Sequence, residues 1–203
     1  MYDDPDSDWC LFQKLRPALP AADLTINSSS PHLLSAMADS EAEAAAGDLV
    51  VPPLVEAETV WALVWSPCGR FLASGGDRGG IRLWARTGTN PDSEMVEVSH
   101  SSAHRGPVYS LSWTTGGAED GAGLLASAGG DSRIIVWQIK AIEGKEGIAA
   151  PVMEPIAAVR EAHGAADINS VAWNMRDDGK GAGILASCAD DGSVKVWRIV
   201  ADE

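Results

Sequence analysis

Apolar residues in the second half of the chain recur with the alternation and short run length of β-strands. Three such runs are rich in β-branched and aromatic residues and end in Trp: "TVWALVW" (59–65), "PVYSLSW" (107–113) and "DINSVAW" (167–173). Each precedes a fourteen-residue motif: "FLASGGDRGGIRLW" (71–84), "LLASAGGDSRIIVW" (124–137) and "ILASCADDGSVKVW" (184–197). Every motif holds two strand-like runs joined by a tight turn. The pattern predicts three repeated antiparallel units.

A fourth strand is predicted after the first two units, in "EMVEV" (94–98) and "VMEPIAAV" (152–159). Pro155 suits an edge strand, where its missing N–H does no harm. Only six residues follow Trp197, so we expect the last unit to lack an outer strand of its own. Residues 9–14 resemble the outer strand of a preceding unit and are the expected lender. Gly-rich stretches such as "KAIEGKEGIAAP" (140–151) are interpreted as loops.

The closing tryptophans Trp84, Trp137 and Trp197 are separated by 53 and 60 residues. A four-stranded unit of this period that closes in Trp is typical of a β-propeller blade of the WD-repeat type. The predicted fold is therefore all-β, a partial propeller of about three blades plus one leading strand. The predicted division is 1–16 (outer strand of a preceding blade), 17–58 (flexible acidic insertion), and blades at 59–99, 100–160 and 161–203. Six tryptophans are expected between blades, and Trp9 and Trp61 in the core.

The segment between the leading strand and the first blade has a different composition. No Lys or Arg occurs from residue 17 to 69, and residues 27–53 are rich in Ala and Ser. Such a segment buries too little apolar surface to offset its ordering entropy. We expect residues 20–53 to be disordered, on the side of the propeller that carries the His and Asp positions described next.

Net charge, apolar run length and cysteine count limit the partners and the cellular compartment that the sequence predicts. The net charge of −14 gives no electrostatic reason to bind nucleic acid. No apolar run reaches the roughly 18 residues of a membrane span. Three scattered cysteines, Cys10, Cys68 and Cys188, fit a reduced compartment, the cytosol or the nucleus. They are too few for an iron–sulfur cluster, so no cofactor is expected.

Two sets of His, Ser and Asp allow two interpretations. His104, Ser127 and Asp131 could be written as a nucleophile triad, and so could His163, Ser187 and Asp191. Neither serine lies in a G-x-S-x-G elbow, and a nucleophile buried within a strand cannot reach a substrate. The favoured interpretation is a buried network in each blade that also includes Trp137 or Trp197. No catalytic, cofactor-binding or metal-binding residue is predicted.

The first unit departs from this pattern. Nine residues before Trp65, where His104 precedes Trp113, stands Glu56, and four residues after Ser74 stands Arg78. Two departures at positions that should touch favour a swapped ion pair, Glu56 with Arg78. The alternative is that both side chains are solvated, since exposed ion pairs hold their geometry weakly.

The chain resembles the C-terminal part of the WD-repeat proteins of cytosolic iron–sulfur protein assembly. The resemblance covers residues 1–14 and 54–200, and we expect residues 15–53 to have no counterpart in that family. The resemblance rests on "YDDPDSDWCLF" followed by "TVWALVWSPCGRFLASGGD", and on "EAHGAADINSVAWN" leading to "ILASCADDGSVKVWR". It implies a seven-bladed ring that acts as a non-catalytic docking platform in the cytoplasm, and also in the nucleus. The implied partners are a hydrogenase-like iron–sulfur adaptor, a small targeting subunit and a HEAT-repeat client selector, with no nucleic acid and no membrane.

Three other interpretations stay open from the residues. One is a WD-repeat scaffold of another pathway, such as splicing or chromatin. Another is a truncated propeller fragment without function. The third is a metalloprotein that itself holds a cluster, against which the isolated cysteines argue.

Overall fold

The structure is a computed structural model that describes residues 13, 15, 58–88, 90, 92–102, 104–115, 122–143, 149–175 and 183–199. The predictions for the acidic insertion, and for most of the leading strand, lie outside these residues.

The described residues form twelve strands and no helix, so no helix there could cross a membrane. The strands are β1 Val60–Trp65, β2 Phe71–Gly76, β3 Gly80–Arg86, β4 Met95–Ser102, β5 Val108–Thr114, β6 Leu124–Gly129, β7 Ile134–Glu143, β8 Ala149–Val159, β9 Ala162–Ala165, β10 Ile168–Trp173, β11 Ile184–Ala189 and β12 Val194–Arg198.

Eleven of these strands build three antiparallel sheets, which are successive blades. The orders are β1-β2-β3-β4, β5-β6-β7-β8 and β10-β11-β12. The inner strands β1, β5 and β10 begin within one residue of the predicted positions. The described part of the last blade has three strands. Pro155 lies on the edge strand β8, opposite Trp137, as expected.

One sequence expectation about local structure is wrong. The stretch 140–151 is not one loop, because β7 continues to Glu143 and β8 starts at Ala149. Pairing of these strands continues to Glu143 opposite Ala149, which extends the hairpin beyond the core. The short strand β9 was not predicted either. It starts at Ala162, whose N–H donates to the Ser132 carbonyl at 3.0 Å and so ties this segment to the middle blade.

The blades pack face to face through two apolar cores. Leu111 and Trp113 of the middle blade pack with Ile81 and Leu83 of the first. Val171 and Trp173 of the last blade pack in the same way with Ile134 and Val136 of the middle one. The inner strands β5 and β10 thus turn their Leu or Val and their Trp toward the preceding blade.

Backbone bonds to serine fix one of these contacts. The backbone N–H groups of Val171 and Trp173 donate to the hydroxyls of Ser110 and Ser112, both at 3.0 Å. The Trp173 indole N–H also donates to the Ser112 carbonyl at 3.1 Å. Strand β10 is therefore held directly against β5.

The first blade has no described blade before it, and its inner strand is exposed. Trp61 is 55% exposed, and Trp65, the counterpart of Trp113, is 48% exposed. The expectation that Trp61 is a core residue, and that Trp65 is packed between blades, is therefore wrong. Arg86 lies over the Trp65 ring at 5.5 Å.

Part of the leading segment contacts the first blade. The Gln13 side-chain amide donates to the Met95 carbonyl and accepts from the Met95 N–H, both at 2.8 Å. Leu15 packs on Leu72, Trp84 and Met95. Because Gln13 bonds to β4 of the first blade, the expectation that residues 9–14 complete the last blade of the same chain is wrong at this residue.

Candidate functional site

The middle blade brings together all four residues of its predicted network. His104 Nδ1 lies 2.8 Å from Asp131 Oδ1, and His104 Nε2 lies 2.8 Å from Ser127 Oγ. The Trp137 indole N–H donates to Ser127 Oγ at 3.0 Å. The four side chains therefore form one continuous chain across the blade, from the inner-strand loop to the third strand.

The partners fix the direction of these bonds. An ionised carboxylate and an indole have one role each, acceptor and donor. His104 therefore carries a proton on Nδ1 and donates it to Asp131. Ser127 Oγ accepts from Trp137, and it lies 2.8 Å from His104 Nε2 and 3.4 Å from the Ile135 carbonyl, which its hydroxyl can reach as a donor. Every polar atom in the chain then has a partner, as buried polar groups require.

The Asp131 carboxylate also closes the turn between the second and third strands. Its oxygens accept from the backbone N–H groups of Arg105 at 3.0 Å and Arg133 at 3.2 Å. Burial raises the pKa of Asp131, but the bonds from His104 and from these N–H groups outweigh burial and lower it to about 2.

The last blade repeats the arrangement closer to the surface. His163 Nε2 lies 2.7 Å from Ser187 Oγ, and the Trp197 indole N–H donates to the same oxygen at 2.8 Å. His163 Nδ1 lies 3.0 Å from Asp191 Oδ2. The Ser193 N–H and hydroxyl also donate to Asp191, and together with His163 they lower its pKa to about 2 against the opposing effect of burial.

These distances match a Ser–His–Asp triad, but the surroundings do not. Ser127 is 0% exposed, and its oxygen already accepts from Trp137. Ser187 is also buried and bonded to Trp197. A nucleophile needs room for a substrate carbonyl beside its oxygen, and here an indole occupies that position.

The first blade keeps only the Ser–Trp half of the network. The Trp84 indole N–H donates to Ser74 Oγ at 3.0 Å. Beside them lies Arg82, buried within β3, whose Nη1 donates to Glu97 Oε1 at 2.9 Å. Its Nη2 lies 4.0 Å from Glu58 Oε2, and His100 Nδ1 is 3.4 Å from Glu97. A buried ionic cluster of Glu58, Arg82 and Glu97 therefore replaces His and Asp.

The proposed pair of Glu56 with Arg78 is only partly described, because Glu56 lies outside the described residues. The backbone N–H of Arg78 donates to Glu58 Oε1 at 2.8 Å. Glu58 lies tightly against β2, since a Cβ at Gly76 would come within 2.5 Å of the same oxygen. Glu58 thus caps the turn between the second and third strands of the first blade, as Asp131 caps the corresponding turn of the middle blade.

Glu58, Arg82 and Glu97 were missed by sequence reasoning, although one signal was present. Arg82 stands in "GIRLW", where the middle blade has Ile135. A charged residue inside a strand otherwise buried on both faces predicts a buried partner of opposite charge.

Acid is expected to weaken both networks. The pKa values of Asp131 and Asp191 lie near 2, below the ordinary 3.8, so their stabilising effect is complete above that value. It is lost progressively as the pH falls from about 4 toward about 2, because the unfolded chain then takes up protons first. Urea denaturation at a series of pH values measures this. Asp131→Asn should flatten the decline, and an unchanged slope in that variant would contradict the assignment.

The positions of the cysteines are relevant to the expectation that the chain holds no iron–sulfur cluster. Cys68 is exposed in the turn after β1, with its Sγ 3.3 Å from Ser66 Oγ, and Cys188 is half-buried on β11 of the last blade. Cys10 lies outside the described part of the chain. Within that part, no group of three or more His, Cys, Asp or Glu residues could hold a metal ion.

Three stretches of the chain match one family model. The model describes the "WD domain, G-beta repeat" and matches residues 55–85, 96–138 and 155–198. The chain belongs to the WD-repeat family. Its second and third repeats start in the outer strand of one blade and end with the third strand of the next, so each repeat joins two blades.

The relatives of this WD-repeat protein include proteins named for iron–sulfur assembly. It is 54% identical over 212 residues to a "Probable cytosolic iron-sulfur protein assembly protein 1" of Cryptococcus neoformans, across 96% of this chain and 48% of that one. It is 32% identical to a "Probable cytosolic Fe-S cluster assembly factor" of Schizosaccharomyces pombe, across 68% of this chain and 22% of that one. The resemblance drawn from the sequence is confirmed.

These alignments qualify two expectations. The Cryptococcus alignment takes in 96% of this chain and so extends across residues 15–53, which the sequence alone marked as lacking a counterpart. This WD-repeat protein spans about half the length of that relative, 48%. What the full-length relative does is therefore only proposed for this chain.

A solved structure supports the fold. The chain is similar, with a TM-score of 0.51, to Sqt1 of Chaetomium thermophilum bound to the N-terminus of the ribosomal protein L10. The two are 18% identical, and the match covers 68% of this chain and 31% of the other. At this identity the likeness concerns the propeller fold alone.

Proposed function

We propose that this chain is a non-catalytic docking subunit in the delivery of iron–sulfur clusters to cytosolic and nuclear proteins. The observation that carries the proposal is the 54% identity to the Cryptococcus relative. The proposed partners are a hydrogenase-like iron–sulfur adaptor, a small targeting subunit and a HEAT-repeat client selector. The cluster is cargo of the complex.

The buried networks support a structural role for the residues that resemble a triad. Asp131, His104 and Ser127 are all committed to bonds within one blade. Such satisfied networks rigidify a fold. We propose that they hold the loops and turns of each blade in place, and that function depends on the surface these loops present.

A partner-binding surface is proposed at the ends of the inner strands. Trp61 lies edge-on to Tyr109, with ring centroids 6.1 Å apart, and its indole N–H donates to Asp77 Oδ1. This bond lowers the pKa of Asp77 below its ordinary range. Asn169 Nδ2 donates to Asp190 Oδ1 at 2.7 Å at the same level of the last blade. Exposed, fixed aromatic side chains are frequent hot spots of protein interfaces.

A chimera tests the proposed pathway. The half of the Cryptococcus relative that aligns with this chain is replaced by residues 1–203, and the endogenous protein is depleted. We expect restored activity of a cluster-dependent cytosolic enzyme, while a mitochondrial cluster enzyme is unchanged throughout. A chimera that accumulates normally yet restores nothing would refute the pathway.

Substitution of Trp61 tests the surface. Trp61→Ala in the chimera should reduce co-purification of at least one of the three proposed partners by ten-fold or more, because hot-spot truncations cost about 2 kcal/mol or more. The matched control is Ile156→Ala, an exposed apolar residue on the outer strand β8. Equal retention of all partners by both variants would exclude this surface.

A further inference from the structure

The inner strand of each blade meets the turn after the second strand at one pair of positions. The strand residue lies four positions before the inner-strand tryptophan, and the turn residue comes directly after β2, β6 or β11. These pairs are Trp61 with Asp77, Tyr109 with Gly130, and Asn169 with Asp190. In the first and last blades, the strand side chain donates a hydrogen bond to the aspartate. In the middle blade, the glycine offers the tyrosine no such partner.

The place of the missing side chain is bordered by an aromatic ring and a carboxylate. A Cβ built on Gly130 would come 3.4 Å from Tyr109 Cε2 and 3.5 Å from Asp167 Oδ2. We call the space between these three residues the Gly130 notch. Asp167 directly precedes β10 of the last blade, so the notch lies where the middle and last blades meet. It is thus bordered on both sides by blades that the structure describes.

The polar groups beside the notch have no hydrogen-bond partner among the described residues. The Asp167 backbone carbonyl accepts from the Asp190 N–H at 3.1 Å, but its carboxylate accepts no bond within that part of the chain. The same holds for the Tyr109 hydroxyl, although the Tyr109 ring contacts Trp61 edge-on. Both side chains are partly exposed, so both polar groups are open to a ligand.

A carboxylate beside an aromatic ring suits a guanidinium group. A guanidinium donates two parallel hydrogen bonds to a carboxylate, and its plane stacks on an aromatic face. An ammonium group is also attracted to the ring but lacks the paired geometry. The net charge of −14 favours a basic partner over an acidic one. We infer that the Gly130 notch binds an arginine side chain of a partner protein.

The neighbours of the notch indicate how the partner segment continues. On the last-blade side, the exposed Asp190 offers a second carboxylate, held next to Asp167 by its backbone N–H. On the first-blade side, the exposed Trp61 ring lies against Tyr109 and offers apolar surface. A segment with a basic residue on one side of the arginine and an apolar residue on the other therefore fits. The inference rests on the proposed partner-binding surface and names the chemistry of the segment that binds there.

Peptide selection measures this preference directly. The chimera described above is used, because it presents the notch in a chain of the relative's full length. Random peptides displayed on phage are selected on the chimera and, in parallel, on its Asp167→Asn variant. Peptides retained only by the unmodified chimera should be enriched in arginine. No arginine enrichment, or enrichment in lysine or in acidic residues instead, would overturn the inference.

A thermodynamic cycle tests whether the arginine contacts Asp167. A selected peptide is compared with the same peptide carrying citrulline, which keeps the shape of arginine and removes its charge. Titration calorimetry should show about ten-fold weaker binding of the citrulline peptide to the chimera, because a charged hydrogen bond is lost. In Asp167→Asn, the two peptides should bind equally.

The matched control for this cycle is Asp92→Asn. It removes an exposed charge from the loop between β3 and β4, and the arginine peptide should still bind more tightly than the citrulline peptide. Equal weakening by Asp92→Asn and Asp167→Asn would show that net charge alone attracts the peptide, and would contradict the inference.

Gly130→Ala fills the notch without changing any charge. Its methyl group lies between the Tyr109 ring and the Asp167 carboxylate, so the preference for the arginine peptide should disappear while thermal unfolding shows a folded protein. Tyr109→Phe keeps the ring and should keep the preference. A preference that persists in Gly130→Ala would exclude the notch as the site. The peptide assays contain no iron–sulfur protein, so their failure leaves the rescue test of the pathway unaffected, and failure of rescue leaves the notch unaffected.

Discussion

Replacement of Arg82 by Met is expected to lower the free energy of unfolding by about 3–5 kcal/mol. The guanidinium lies between Glu97, at 2.9 Å, and Glu58, at 4.0 Å, and all three side chains are at least 90% buried. Removal of one partner from a buried ion cluster leaves uncompensated charge in a medium of low polarity. Met is similar in length to Arg but carries no charge. The loss of stability therefore measures the cost of leaving the Glu58 and Glu97 carboxylates without a cation.

Urea denaturation followed by tryptophan fluorescence measures the effect. Lys195→Met is the matched control, because Lys195 occupies the same strand position in the last blade and donates from Nζ to the Ala162 carbonyl at 2.7 Å. Its loss leaves no buried charge and should cost about 1 kcal/mol. Glu97→Gln added to Arg82→Met should recover part of the stability. Equal losses in the Arg82 and Lys195 variants would show that the cluster is not the source.

The sequence pattern was sufficient for the strands of each blade. In "TVWALVW" and its two counterparts, β-branched and aromatic residues alternate with smaller ones, and a segment with Gly or Asp follows each run. Period-two alternation and turn-forming residues are local properties of the sequence. Strands can therefore be predicted from them without knowledge of the tertiary contacts. The β7–β8 hairpin beyond Gln138 was not predictable in this way, because its stability depends on pairing across a stretch of Lys, Glu and Gly.

Spacing in the sequence pointed to Glu56 for the first blade, and Glu56 lies outside the described residues. Counting back nine positions from Trp65 assumes a loop of constant length, and the loops differ, since His104 is nine residues before Trp113 and His163 ten before Trp173. Within the described residues, Glu58 pairs with Arg82 of β3 and also accepts from the backbone N–H of Arg78. Side-chain reach from a neighbouring strand is a tertiary property that spacing in the sequence does not encode.

Burial of the inner-strand tryptophans is also a tertiary property, because it depends on the neighbouring blade. Trp65, Trp113 and Trp173 share one position in the repeat, yet Trp113 and Trp173 are buried and Trp65 is half exposed. The difference comes from the blade in front of each one, which for Trp65 is not part of the described chain.

The second large effect is expected from His104→Ala. Loss of the imidazole removes one buried hydrogen bond each from Ser127 and Asp131 and leaves a cavity beside them. An unpaired buried polar group costs about 1–3 kcal/mol, and large-to-small changes in a core cost about 2–5 kcal/mol. We expect a loss of roughly 3–5 kcal/mol in the free energy of unfolding, measured by urea denaturation.

His163→Ala is the matched comparison and should cost less, roughly 1–3 kcal/mol. The Asp191 side chain is 30% exposed, against 6% for Asp131, and keeps both bonds from Ser193 when the imidazole is gone. Water can hydrate it, whereas Asp131 remains enclosed. A double-mutant cycle of His104→Ala with Asp131→Asn should show strong coupling, because the two side chains act through one bond. Equal losses at His104 and His163, with no coupling to Asp131, would mean that the cavity alone sets the cost.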